Sequence, residues 1–100
     1  MITYSDALSA LGDPTRRAIF EHLGEQPSAV VDLAALVPVS RPAVSQHLKI
    51  LKAAGLAADQ ADGTRRVYRI DWTGLNAMRA YLESFWQAEL ERQMEERRHG

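Results

Sequence analysis

Arg41, Ser45, Gln46, Lys49 and Lys52 fall within one short stretch, and their side chains share a chemistry. An arginine offers a planar fork of N–H donors that fits guanine O6 and N7, and a glutamine amide pairs with adenine. A serine bonds a base or a phosphate. Lysines neutralise phosphates and add affinity without sequence information. Between them Val44, Leu48 and Leu51 stand at i, i+4 and i+7, one apolar stripe of a helix. A helix that hides a thin stripe and displays such a polar face has the shape and chemistry to enter a DNA major groove. Arg65 and Arg66, further along, could reach the flanking minor groove or backbone. His47 lies between the stripe and the exposed side, where a packing role and a DNA contact both stay open.

The elements that must position these residues can be read from caps and breaks. A first helix is expected over about Ser5–Leu11, with Leu8 and Leu11 on one side and Gly12 as its end. Asp13-Pro14 starts a second, since Asp caps well and Pro is tolerated in the first turn. Its apolar positions Ala18, Ile19 and Leu23 run to Gly24, and Gln26-Pro27 forms a break. Ser28 is expected to cap a short third helix through Val31, Leu33, Ala34 and Leu36. Ser40 is the expected cap of the fourth, although Pro42 disfavours a helical Arg41 and blurs its start by a residue. Gly55 in Ala54-Gly55-Leu56 stops it. Two extended runs, Leu56–Gln60 and Arg65–Ile70, flank Asp62-Gly63, a strong hairpin signal. Asp71 or Thr73 then opens a long helix to about Arg97, with Leu75, Met78, Leu82, Phe85, Trp86 and Leu90 on one face. The order is α-α-α-α-β-β-α: a mainly α chain with a small β-hairpin, a winged helix-turn-helix architecture.

One hundred residues make one domain, spanning 1–100, with 46% hydrophobic and 25% charged residues, an ordinary globular composition. No apolar run approaches the length of a membrane span. The first residues, Met-Ile-Thr-Tyr-Ser-Asp, lack the basic and apolar regions of a secretory signal, so the expected location is cytoplasmic. The lack of cysteine excludes disulfides, thiolate metal sites and thiol redox sensing. The net charge of −1 looks poor for a nucleic-acid binder, but its distribution does not. From Ser40 to Ile70 six cations (Arg41, Lys49, Lys52, Arg65, Arg66, Arg69) face two anions (Asp59, Asp62), a local +4 in an otherwise acidic chain.

Three strings carry a family resemblance: Ala10-Leu11-Gly12-Asp13-Pro14-Thr15-Arg16-Arg17, Ser45-Gln46-His47-Leu48-Lys49-Ile50-Leu51-Lys52 with Ala54-Gly55-Leu56, and Gly63-Thr64-Arg65-Arg66-Val67-Tyr68. They resemble ArsR-type (ArsR/SmtB-like) bacterial repressors, in the right order and spacing, over roughly Leu8 to Leu75. The resemblance implies a homodimeric, sequence-specific repressor that binds an inverted-repeat operator in double-stranded DNA. It also extends the DNA-facing set to the first turn, giving Ser40, Arg41, Pro42, Ser45, Gln46, Lys49, Lys52, Arg65 and Arg66. Similar repressors pair their first and last helices across a two-fold axis. Here Tyr4, Leu8 and Leu11 would meet Met78, Leu82, Phe85 and Trp86, an apolar set larger than one small core needs.

Many members sense metals through cysteine pairs in the third helix or His and carboxylate ligands in the last. The matching third-helix positions hold Ala29 and Val31, and the last helix has no His before His99, so neither metal nor other cofactor is expected. An enzyme is not expected either. Ser45 and His47 are two residues apart on a helix and face apart, and no glycine-rich phosphate loop is present. Two other readings compete: an adaptor that keeps the fold without DNA binding, and a repressor released by a small organic ligand that sits against Trp72, Phe85 and Trp86 at the dimer interface. The basic face argues against the adaptor, which has no need of it.

Overall fold

Polar residues set where the chain turns helical in the computed structural model, which describes residues 1–99. Thr3 caps α1 (Tyr4–Ala10), its hydroxyl accepting from the Asp6 N–H at 3.1 Å. The Asp13 carboxylate accepts from the Arg16 N–H at 2.8 Å and starts α2 (Pro14–Glu25), with Pro14 in the first turn. The chain then forms β1 (Ser28–Ala29), α3 (Val30–Ala34), α4 (Arg41–Ala53), β2 (Ala57–Asp62), β3 (Arg65–Ile70) and α5 (Trp72–His99).

The architecture is the expected one with an added strand. Ser28 and Ala29 pair antiparallel with Tyr68 and Val67, so the hairpin becomes a three-stranded sheet of order β1-β3-β2. Ser28 therefore does not cap α3. It is buried, its hydroxyl donates back to the Gln26 carbonyl at 3.1 Å, and α3 starts from an extended Ala29 with no side-chain cap. A two-residue strand has no alternation for sequence reasoning to detect. Gly24 does not end α2 either; the helix passes through it to Glu25.

The core forms where the predicted stripes converge. Val44, Leu48 and Leu51 of α4 are fully buried, together with Ile19, Leu33 and Leu56, and the cluster also takes in Leu23 and Met78. On α1 the buried face is Ala7 and Ala10; Leu8 is exposed and Leu11 is a half-buried cap residue. Small residues let α1 lie close to its neighbours, which puts the larger Leu8 outside.

Two glycines join the reading helix to the last one. Gly55 takes φ +74° as α4 ends, the left-handed turn that glycine adopts freely. Its carbonyl accepts from the Gly74 N–H at 2.7 Å, and Leu56 O accepts from the Asp71 N–H at 3.0 Å. A Cβ at Gly74 would lie 2.7 Å from the Ala54 carbonyl oxygen, so only glycine permits this approach. The start of α5, with the Asp71 carboxylate accepting from the Thr73 N–H, is thereby docked backbone to backbone on the end of α4. The 28 residues of α5 span about 42 Å at 1.5 Å per residue. From Leu82 to His99 every residue is exposed.

Candidate nucleic-acid interface

The Ser40 hydroxyl accepts from the Ala43 N–H at 3.3 Å, which fixes the start of α4. Arg41 and Pro42 then occupy the first helical positions, so Pro42 does not delay the helix. Ser40 faces its own helix as the cap. Arg41, Pro42, Ser45, Gln46, Lys49 and Lys52 are all exposed, opposite the fully buried stripe. At 13 residues α4 is about 20 Å long, and the B-DNA major groove admits a helix of this kind.

The wing stands beside the start of that helix. The two-residue loop of the hairpin is Gly63-Thr64, because Asp62 already pairs with Arg65. Only Gly63 has a positive φ (62°), the sign pattern of a type II′ turn, whereas Asp-Gly as the central pair would have required type I′. Arg41 of α4 and Thr64, Arg65 and Arg66 of the wing line one open concavity of about 240 Å³, together with Val30 and Val31. Three guanidinium side chains thus border a single hollow at the junction of recognition helix and wing.

The cations are not equivalent. Among the described residues Arg41 and Lys49 make no ion pair, whereas Lys52 and Arg66 both engage Asp59, at 2.6 and 3.2 Å. Arg65 lies 3.9 Å from Asp32 of α3 with both side chains more than half exposed, a contact of little energetic weight. Arg69 donates to the Gln60 side chain at 2.6 Å. Composition counted Asp59 only as an anion. Its partnership becomes legible once the register is known, because Asp59 opposes Tyr68 and so lies diagonal to Arg66 on the same hairpin face.

His47 packs inward: it is half-buried, and its Nδ1 is covered with no hydrogen-bond partner. Ser45 points to solvent, so the two do not assemble a nucleophile and base. Among the described residues no group of three His, Cys, Asp or Glu side chains could hold a metal ion. Of the two family metal positions, Ala29 lies in β1 rather than in α3, and Val31 is an exposed residue of α3. Among the described residues no helix is long and apolar enough to cross a membrane.

The apolar residues predicted to face a second subunit divide into two groups. Met78 belongs to the core of its own domain, so it is removed from that set. Leu82, Phe85 and Trp86 are exposed, with Leu90 and Met94 continuing the stripe. Tyr4 and Leu8 are each 43% exposed, and Tyr4 stacks on Tyr81 at 4.0 Å, with Phe85 edge-on to the same ring at 5.1 Å. Trp72 does not join Phe85 and Trp86. It opens α5, about 20 Å along the helix from them, so one chain does not gather the three into a ligand pocket.

Comparison with known proteins bears on the same segment. Residues 11–60 match a family model described as a helix-turn-helix domain. The HTH-type transcriptional regulator Rv2034 of Mycobacterium tuberculosis is 60% identical over 80 residues, covering 80% of this chain and 75% of the relative. A solved ArsR-like transcriptional regulator from Rhodococcus sp. RHA1 superposes with a TM-score of 0.77 at 34% identity, over 91% of this chain and 85% of the other. The homodimeric winged helix-turn-helix DNA-binding domain Mb0332 of Mycobacterium bovis, described as a possible ArsR-family regulator, is similar at 27% identity. Its TM-score is 0.65, over 85% of this chain and 77% of that one.

Proposed function

This chain belongs to the ArsR/SmtB-like winged helix-turn-helix transcriptional regulators, and from that premise we propose how it reads DNA and how it assembles. The protein is a DNA-binding transcriptional regulator. Its recognition helix is α4, with Arg41, Ser45 and Gln46 presented to base edges and Lys49 to phosphate. Ser40 and Pro42 shape the first turn, and Lys52, Arg65 and Arg66 meet the flanking backbone. The observation that carries this reading is the division of α4. Its apolar stripe is fully buried while its arginine, amide and lysine side chains are all exposed beside a wing rich in arginine.

The working unit is a homodimer. Support comes from the exposed Leu82, Phe85, Trp86, Leu90 and Met94 on α5, beside the exposed Tyr4 and Leu8 of α1, and from the homodimeric state of the similar Mb0332 domain. Two-fold symmetry would present two recognition helices about 34–36 Å apart, so the operator is an inverted repeat. Occupying a promoter in this way is sufficient for repression. Promoter binding implies a cytoplasmic site of action, and nothing in the site calls for catalysis.

Selection from a random-sequence duplex pool, followed by a gel shift with the recovered duplex, tests the reading. Recovery of a pseudo-palindrome bound at sub-micromolar protein in a salt-sensitive manner is expected. Failure to enrich any sequence would sink it.

A further inference from the structure

Asp59 is the one carboxylate of the wing that lies beneath its cations rather than beside them. Its Oδ1 is 2.6 Å from Lys52 Nζ and its Oδ2 is 3.2 Å from Arg66 Nη1, so both oxygens are engaged. The side chain of Asp59 is only 9% exposed, whereas those of Lys52 and Arg66 are 56% and 57% exposed. The acid therefore holds the two cations from the protein side and leaves most of their surface open. Three elements meet here: Lys52 from the last turn of α4, Asp59 from β2 and Arg66 from β3.

We propose that Asp59 is a positioning residue that sets the selectivity of the DNA face, by tying the end of the recognition helix to the wing through Lys52 and Arg66. The proposal rests on the reading of α4 and the wing given above. Two physical consequences follow from the geometry. The cations reach DNA already ordered at a fixed separation, so only a backbone of matching shape meets both at once. The shared carboxylate also cancels one of their two charges, which weakens attraction to an arbitrary phosphate backbone. The direction of the carboxyl's titration agrees. The Lys52 hydrogen bond holds it below the usual carboxylate range against the opposing effect of burial, with the charges of Lys52 and Arg66 acting in the same sense. The Asp59 carboxylate therefore stays ionised at neutral pH.

The test measures, by fluorescence anisotropy over a series of KCl concentrations, the affinity of the full chain for two probes. One is the duplex it selects from a random pool, and the other is a duplex of scrambled sequence. Asp59→Asn is expected to bind the scrambled duplex more tightly, with the slope of log K against log salt steeper by about one. Its affinity for the selected duplex should not improve, so the ratio of the two falls about tenfold. Asp59→Ser should behave alike and serves if the first variant folds poorly, while Asp59→Glu should restore most of the ratio. Asp62→Asn removes the same charge from the same hairpin at an exposed position that makes no ion pair among the described residues. It should strengthen both duplexes alike and keep the ratio. An unchanged ratio in folded Asp59→Asn, or an equal fall in Asp62→Asn, overturns the assignment. If Arg41→Ala also retains full selectivity, the DNA face itself is wrong; if Arg41→Ala loses it while Asp59→Asn does not, only the role of Asp59 fails.

Discussion

Two exposed surfaces dominate this molecule, and they differ in kind. On α4 and the wing the exposed side chains include Arg41, Ser45, Gln46, Lys49, Lys52, Arg65 and Arg66, with Asp59 bracing Lys52 and Arg66 from beneath. On the outer half of α5 they include Leu82, Phe85, Trp86, Leu90 and Met94. A charged face keeps its hydration until a phosphate replaces it, so it can stand open on a folded domain. An apolar stripe of this length favours burial against another protein surface. On the reading proposed above, the first surface meets nucleic acid and the second a further copy of the chain. The Gly55–Gly74 contact joins them rigidly, since it seats the start of α5 on the end of α4 through backbone alone.

The largest effect should come from the apolar surface. Phe85→Glu with Trp86→Glu is expected to convert a dimer to a monomer in sedimentation. Affinity for the selected duplex should fall by about 100-fold or more, because the second half-site no longer binds intramolecularly. Thermal stability of the monomer should barely move, as both side chains are exposed. Met78→Ala, on the same helix but inside the core, should do the reverse and cost about 2–5 kcal/mol of stability. A variant pair that failed to separate assembly from folding would erase the distinction between the two halves of α5.

Within the charged surface the effects should be smaller and split by role. Arg41→Ala is expected to lose about 1–3 kcal/mol of discrimination between selected and scrambled duplex. Lys49→Ala should weaken both duplexes alike and flatten the salt dependence by about one unit of slope. Identical behaviour of the two would mean that the start of α4 does not read bases.

The smallest effect is on acid stability. The fold holds the Asp59 carboxyl below its ordinary value of 3.8, chiefly through the Lys52 hydrogen bond, and the Asp13 carboxyl likewise, chiefly through the Arg16 N–H. Groups with lowered folded values contribute stability above the unfolded value and lose it as pH falls through the folded one. Thermal melts of the parent should therefore decline on acidification below 3.8, and those of Asp59→Asn should decline less steeply. Matching slopes would show that Asp59 is not coupled to its two cations.

The recognition helix was legible because three independent signals coincide there. Val44, Leu48 and Leu51 keep helical period, Ser40 caps and Gly55 stops. Strand β1 was not legible, since Ser28 and Ala29 are strand only through their pairing with β3. Met78 and Leu82 look alike in the sequence, four residues apart on one stripe. Only the end of the domain beneath α5 separates a buried residue from an exposed one. Asp59 was hidden for a third reason: its partners come from α4 and β3, and the pairing of Asp62 with Arg65 must be fixed before it can be placed.

Hydroxyl-radical footprinting of the selected duplex with the parent protein tests the central claim most directly, since it reads both surfaces together. Two protected patches with centres about 10–10.5 base pairs apart, one helical turn, are expected from a two-fold pair of recognition helices. A single patch, or protection without pattern along the duplex, would contradict the account.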